Sequence, residues 1–161
     1  MSDENPTQKV AELIKDVRIA MLTHTDHEGR LVSHPMATQD VEFDGDILFI
    51  AERSSNKCRD IEAQHPAKVN VAYSSSSTWV SVSGTAEIVD DNAKLRELWD
   101  GFTGAWLEGG PENPNNVLIR VNAESAEYWD SPGAKVVQLA NFVKAKITGK
   151  RVEGDNEVVD L

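Results

Sequence analysis

Between Arg18 and Asp130 this chain is cut into short alternating segments by tight-turn signals, which leaves little alternative to an antiparallel β-architecture. "RIAMLTHT" is followed by the turn "DHEG", "RLVSHPMATQDVEF" by the hairpin signal "DGD", and then comes the fully apolar "ILFIA". "AKVNVAYS", "STWVSVSGTAEIVDD" and "VLIRVNAESAEYWD" supply three more strands, with "SSSS" and "EGGPENPNN" as turn and loop. Connections this short join antiparallel neighbours, since a parallel pair needs a long crossover. Six antiparallel strands with few helices predict a closed or nearly closed β-barrel, a shape that also disposes of sheet edges.

Helices fill the remaining stretches. Val10, Leu13, Ile14 and Val17 form one apolar stripe over Pro6 to Val17, with Asn5 or Thr7 as cap. "SSNKCRDIEAQHP" predicts a short helix capped by Ser54 or Ser55, ended by Pro66 and lying on the surface of the sheet. Leu95, Leu98, Trp99 and Phe102 repeat the stripe in one helix capped by Asp90 or Asp91. "AKVVQLANFVKAKITG" predicts a last helix, and "KRVEGDNEVVDL" a loosely held tail. The 161 residues thus read as one domain over residues 1–149 with an acidic C-terminal tail over residues 150–161.

The net charge of −11 argues against a nucleic-acid footprint or an anionic-membrane surface, so an anionic ligand would need a local basic pocket. Cys58 is the one cysteine, which excludes an internal disulfide and a cysteine-cluster metal site. "MSDENPTQKV" has no apolar signal-peptide core, and no apolar run has the length of a membrane span. A soluble, cytoplasmic protein is the expectation.

Two features stand out against this background. Pro35 falls inside a predicted strand, where it removes a ladder donor. A bulge at a barrel seam would accommodate it; so would a ligand facing that stretch of chain. The second feature is "AERSSNK", which follows "ILFIA" and opens a helix. A helix start presents unpaired N–H groups and partial positive charge. Ser54, Ser55 and Asn56 add neutral donors, and Arg53, Lys57 and Arg59 add charge; a capped surface helix with incidental basic residues is the plain alternative. The histidines, His24, His27, His34 and His65, are scattered without metal-ligand spacing, so no metal site is expected. Neither a nucleophile elbow, nor a dinucleotide-binding glycine pattern, nor a P-loop is present.

In order along the chain, "SHPMATQ", "DGDILFIAERSSNK", "VSVSGTAEIVDD", "AWLEGGP" and "AEYWDSPG" resemble the general stress protein 26 group of the pyridoxamine 5′-phosphate oxidase-like superfamily, the FMN-binding split barrels. The resemblance runs from about Lys9 to Gly149. It implies a mainly β fold, a six-stranded antiparallel split β-barrel with peripheral helices. It further implies a homodimer with two flavin sites at its interface, and no nucleic-acid or membrane partner. Carried over residue by residue, Ser55, Asn56 and Lys57 meet the cofactor phosphate, and Ile50 and Ala51 approach the flavin ring through backbone groups. His34, Pro35, Met36, Ala37 and Gln39 belong to the segment along the isoalloxazine, and Trp79, Trp129 and Trp106 are contacts supplied by the second subunit.

Two departures from the family pattern matter. Many relatives carry arginine where this chain has His34, so phosphate binding is expected to weaken as pH rises from about 6 to about 8, around the reference histidine pKa of ~6.5. After Trp129 the chain reads "DSPGAKVVQLANFV", without the basic cluster that grips the substrate phosphate in pyridoxamine phosphate oxidases, so vitamin B6 oxidation is not expected. The resemblance therefore implies an FMN-dependent oxidoreductase of the general stress protein type, with no catalytic side chain assigned. The alternatives are a non-catalytic flavin carrier or sensor, the same barrel using F420 or FAD, and a scaffold that has lost its cofactor.

Overall fold

The computed structural model describes residues 5–39, 41–131 and 155–161, and the helix expected over Ala134 to Gly149 lies outside them. Among the described residues the elements are α1 (Pro6–Ile14), β1 (Ile19–Thr25), β2 (Leu31–Ala37), β3 (Asp46–Glu52) and α2 (Asn56–Glu62). They continue with β4 (Ala67–Ser74), β5 (Thr78–Val89), α3 (Asn92–Leu98), α4 (Gly101–Trp106), β6 (Asn116–Asp130) and β7 (Asp155–Asp160).

All seven strands join one antiparallel sheet in the order β2-β1-β4-β5-β6-β3, with β7 also paired to β6. The ends of that order, β2 and β3, approach each other but share no ladder, so the barrel is split rather than closed. The period-2 alternation sets the inner face. Ala20, Leu22, Val69, Val71, Val80, Val82 and Phe49 point inward and are nearly or fully buried. Val10 and Ile14 of α1 join the same core, as do Cys58 and Ile61 of α2. α2 therefore packs into the core instead of lying on the sheet surface, because Cys58 and Ile61 are its two largest apolar side chains and both are withdrawn from water.

β6 is the longest strand because it serves two partners along one edge. Asn116 to Asn122 pair with β3, and Ser125 to Asp130 pair with β7. The changeover coincides with a β-bulge: Ser83 of β5 faces Ser125, but Gly84 faces Ala123, so Glu124 is the extra residue. Around it, Ala123 N–H donates to Gly45 O at 2.9 Å and Leu161 N–H donates to Glu124 O at 3.0 Å. Gly45 has φ 113°, a conformation that favours glycine and that the turn before β3 requires. Within the segment expected to be a loose tail, Asp155–Asp160 is thus a strand. It pairs because β6 outruns β3 and leaves a row of backbone groups to satisfy.

The helix expected to carry Leu95 through Phe102 is broken in two. Trp99 is extended (φ −68°, ψ 127°) and Asp100 caps α4 by accepting Thr103 N–H at 2.7 Å. Asp91 caps α3 in the same way, accepting Lys94 N–H at 3.0 Å. A second capping aspartate followed by Gly101 competes with helix continuation, and only the first half buries an apolar anchor, Leu95.

Candidate functional site

The split places two open strand edges opposite each other, and antiparallel alternation decides which backbone groups they offer. Thr38 N–H donates to Arg18 O and Asp26 N–H to Arg30 O, so the even-numbered residues of β2 bond to β1. The odd-numbered ones face the split. Pro35, opposite Met21, is one of these, so its missing N–H costs the ladder nothing. Ala37 turns its N–H and C=O the same way. On β3, Arg53 N–H donates to Asn115 O at 2.7 Å, which assigns Ala51 and Phe49 to the β6 ladder and leaves Leu48 and Ile50 facing outward.

The expected ring-side residues accordingly divide. Pro35, Ala37 and Ile50 present backbone polar groups to the split. Ala51 spends its groups on β6 and is 2% exposed. Met36 spends its backbone on β1 and its side chain on the core, so it offers the split neither. Gln39 donates to Ala37 O at 3.4 Å and lines a recess of about 510 Å³ with Ile14, Phe43, Ile47 and Tyr73. That recess lies beyond the far end of β2 from α2. Tyr73 is 4% exposed, and burial holds its phenol protonated far above the ordinary tyrosine range.

At the other end, β3 runs into α2, where Ser55, Asn56 and Lys57 stand. Ser55 is the N-cap of α2, yet its hydroxyl donates to Glu52 O at 2.6 Å rather than capping the helix. Asn56 is exposed and Lys57 half-buried. Lys57 makes no ion pair among the described residues. Arg53, expected to add charge here, is instead held by Glu62 at 2.6 Å and by Asp90. Two carboxylates neutralise it, so the cationic side chain left close to His34 is Lys57.

His34 reaches this end from β2, and it does not act alone. Its Nε2 lies 3.0 Å from Nε2 of His24, the two rings stacked with centroids 5.0 Å apart and planes 9° apart. His24 is 1% exposed on the inner face of β1, and its Nδ1 lies 3.2 Å from Thr25 O and 3.9 Å from Asp60 Oδ2. Burial pushes the His34 pKa below the usual histidine value, the His24 ring and the Lys57 ammonium push it further, and Asp60 opposes them. Neither His24 nor Asp60 stands out in the sequence. The signal that would find His24 is hairpin register: Leu22 pairs with His34 and Val32 with His24, so the two imidazoles are diagonal neighbours on one face.

The three tryptophans do not join this cluster within the chain. Trp79 and Trp129 are direct cross-strand partners on the outer face of the sheet, 44% and 41% exposed. Ile19 and Met21 are exposed on the same face of β1. β5 lies three strands from β2, roughly 14 Å at the usual strand spacing of about 4.8 Å. Trp106 sits on α4 beside Phe102, ring centroids 6.2 Å apart, and is the more exposed of the pair.

The chain matches the family model "Pyridoxamine 5′-phosphate oxidase like" over residues 5–153. It is 33% identical over 143 residues to protein bli-3 of Neurospora crassa, covering 83% of this chain and 68% of that one. A Jannaschia sp. CCS1 structure assigned to general stress protein 26 superposes with TM-score 0.79 at 26% identity, covering 96% of this chain and 98% of the other. The general stress FMN/FAD binding protein of Xanthomonas citri superposes with TM-score 0.66 at 26% identity, covering 80% and 90%. Among the described residues, no helix is long and apolar enough to cross a membrane.

Proposed function

The chain belongs to the pyridoxamine 5′-phosphate oxidase-like family, and on that premise we propose that it binds FMN along the split and works as a flavin-dependent oxidoreductase. The observation that carries this reading is the pair of facing, unpaired strand edges with Lys57 at one end. A flat heterocycle bearing both donors and acceptors along one edge suits such a slot. The carbonyl of Pro35 and the N–H and C=O groups of Ala37 and Ile50 are the partners it would find. The Lys57 ammonium, with Ser55 and Asn56, would hold the phosphate. The dominance of backbone groups suits a cofactor whose own chemistry is redox, with the protein supplying position and electrostatics.

The reading includes a homodimer, with a flavin site completed by the second chain. Its support is the outer face, where Ile19 and Met21 of β1 and the cross-strand pair Trp79 and Trp129 remain 39–48% exposed. Trp79, Trp129 and Trp106 are then the partner's contribution to each site.

Titration with FMN, followed by quenching of flavin fluorescence with FAD and F420 in parallel, tests the cofactor. Saturation at one FMN per chain is expected, with Lys57→Ala weakening it roughly tenfold or more, the scale of a lost charge-assisted hydrogen bond. No FMN binding would refute the reading, and binding of F420 instead would move it to that cofactor. Reduction of the bound flavin by NADH or NADPH with turnover supports the oxidoreductase; bound flavin that neither nucleotide reduces supports a carrier or sensor. Sedimentation at micromolar concentration tests the dimer.

A further inference from the structure

The His24–His34 contact has a polarity that the surrounding groups dictate. His24 Nδ1 faces the Thr25 carbonyl at 3.2 Å and the Asp60 carboxylate at 3.9 Å. Both only accept, so His24 Nδ1 carries a hydrogen. Thr25 O also takes the Gln64 amide at 2.7 Å, using its second lone pair. Between the rings lie two nitrogens 3.0 Å apart, and one hydrogen fits between them. When both rings are neutral, His24 has spent its hydrogen on Nδ1. His34 must then donate through Nε2, and His34 Nδ1 is left a bare acceptor. No described residue hydrogen-bonds to that atom.

One proton added to the pair reverses this wherever it settles. On His24, it makes Nε2–H the donor; His34 Nε2 then accepts, and the hydrogen of His34 moves to Nδ1. On His34, both nitrogens carry hydrogens. Either way His34 Nδ1 changes from acceptor to donor. A second proton would set two positive rings 5.0 Å apart, and the 3.0 Å between the two Nε2 atoms has room for one hydrogen, so the geometry favours a single added proton shared by the two rings. The charges acting on it come from α2, Lys57 on His34 and Asp60 on both rings. His27 of the β1–β2 turn lies 3.9 Å from the same Asp60.

We propose that this pair ties the holding of a phosphomonoester dianion at His34 to the uptake of one proton, with His24 the positioning residue that sets the polarity of His34 Nδ1. The inference rests on the flavin reading above, since FMN supplies the phosphate. It concerns two side chains of this sequence, His34 of β2 and its buried neighbour His24 of β1. Arginine would donate at every pH; the histidine pair donates only after it has been charged.

FMN and riboflavin affinities measured from pH 5.5 to pH 8 test it, because riboflavin has the same ring without phosphate. Above the titration of the pair, FMN affinity is expected to fall about tenfold per pH unit, the slope of one linked proton, while riboflavin stays flat. Calorimetry in two buffers of different ionisation enthalpy should report about one proton taken up per FMN. His34→Gln, a permanent neutral donor, should abolish the uptake. His24→Phe should do so as well, because a lone His34 can shift its hydrogen to Nδ1 without gaining a proton. Equal FMN slopes in wild type and His34→Gln would overturn the inference while leaving flavin binding intact. Failure of FMN and riboflavin to bind at any pH would overturn both together. Imidazole nitrogen NMR of the flavin-free protein reads the pair independently: His34 Nδ1 bare at pH 8 is expected, and His34 Nδ1 bearing a hydrogen there would overturn it.

Discussion

Gly84→Ala should damage this fold more than the loss of a hydrogen for a methyl suggests. A Cβ at Gly84 would lie 2.1 Å from Asn122 O, 2.9 Å from Asn122 C and 3.1 Å from Ala123 Cα, all backbone atoms of the neighbouring strand. No rotamer relieves this, because the obstacle is main chain. Ordinary contact begins near 3.5 Å, so β5 and β6 would have to part by roughly 1 Å or more at the bulge. Overpacking of this kind costs about 1–3 kcal/mol, and two disrupted ladder bonds add about 1 kcal/mol each. The sum, about 3–5 kcal/mol, is a large part of a domain stability of about 5–15 kcal/mol. With an unfolding entropy of about 2.1 cal/mol/K per residue over the 161 residues, it lowers Tm by about 9–15 °C. Thermal and urea unfolding followed by circular dichroism and tryptophan fluorescence measure this. Gly101→Ala is the control, since its Cβ meets nothing within 4 Å, and it should stay within about 1 kcal/mol of wild type. A Gly84→Ala protein with wild-type sheet signal and a Tm within about 2 °C would refute the steric argument.

Phe49→Ala removes a fully buried ring from β3 and should cost about 3–5 kcal/mol in urea unfolding; a loss under about 1 kcal/mol would mean the split side of the core can collapse. Because the folded state holds His34 below the histidine reference of 6.5, its contribution to stability is complete above that value and is lost as pH falls through it. Tm should therefore drop between pH 7 and pH 5.5, less so in His34→Gln, and identical profiles would exclude His34 as the source. Removal of residues 155–161 strips β6 of its partner over Ser125 to Asp130, together with the Tyr128–Glu157 hydrogen bond of 2.9 Å and the buried Val159. Lower Tm and faster amide exchange at residues 125–130 should follow, and unchanged exchange would show that β7 does not protect this edge.

Alternation made the strands legible, because burying one face of a sheet imposes a period of two that survives any topology. Relations between elements were less legible. The pairing of His24 with His34 depends on the register of a hairpin, and a shift of one residue would have separated them. Arg53 reads as a spare charge beside Lys57 until the fold brings Glu62 and Asp90 to it. "DNEVVD" reads as a solvated tail because a strand flanking the rim of a sheet needs little apolar content; Val159 is its one buried side chain among those described. The break between α3 and α4 was hidden by an apolar stripe that continued across it, although Asp100 carried the signal for a new start.

An open slot between two strands is also an invitation to a third, and Pro35 declines it. An incoming strand would need a donor at each outward residue of β2, and the row Leu31, Ser33, Pro35, Ala37 lacks one at its centre. The opposite lip offers Leu48 and Ile50 between two charged ends, Asp46 and Glu52, which a strand could not bury without penalty. A molecule the size of a flavin needs no continuous row of donors and so passes this test. A Pro35→Val chain would restore the missing donor. Such a chain would fold as before and then, at high concentration, recruit its own copies edge to edge.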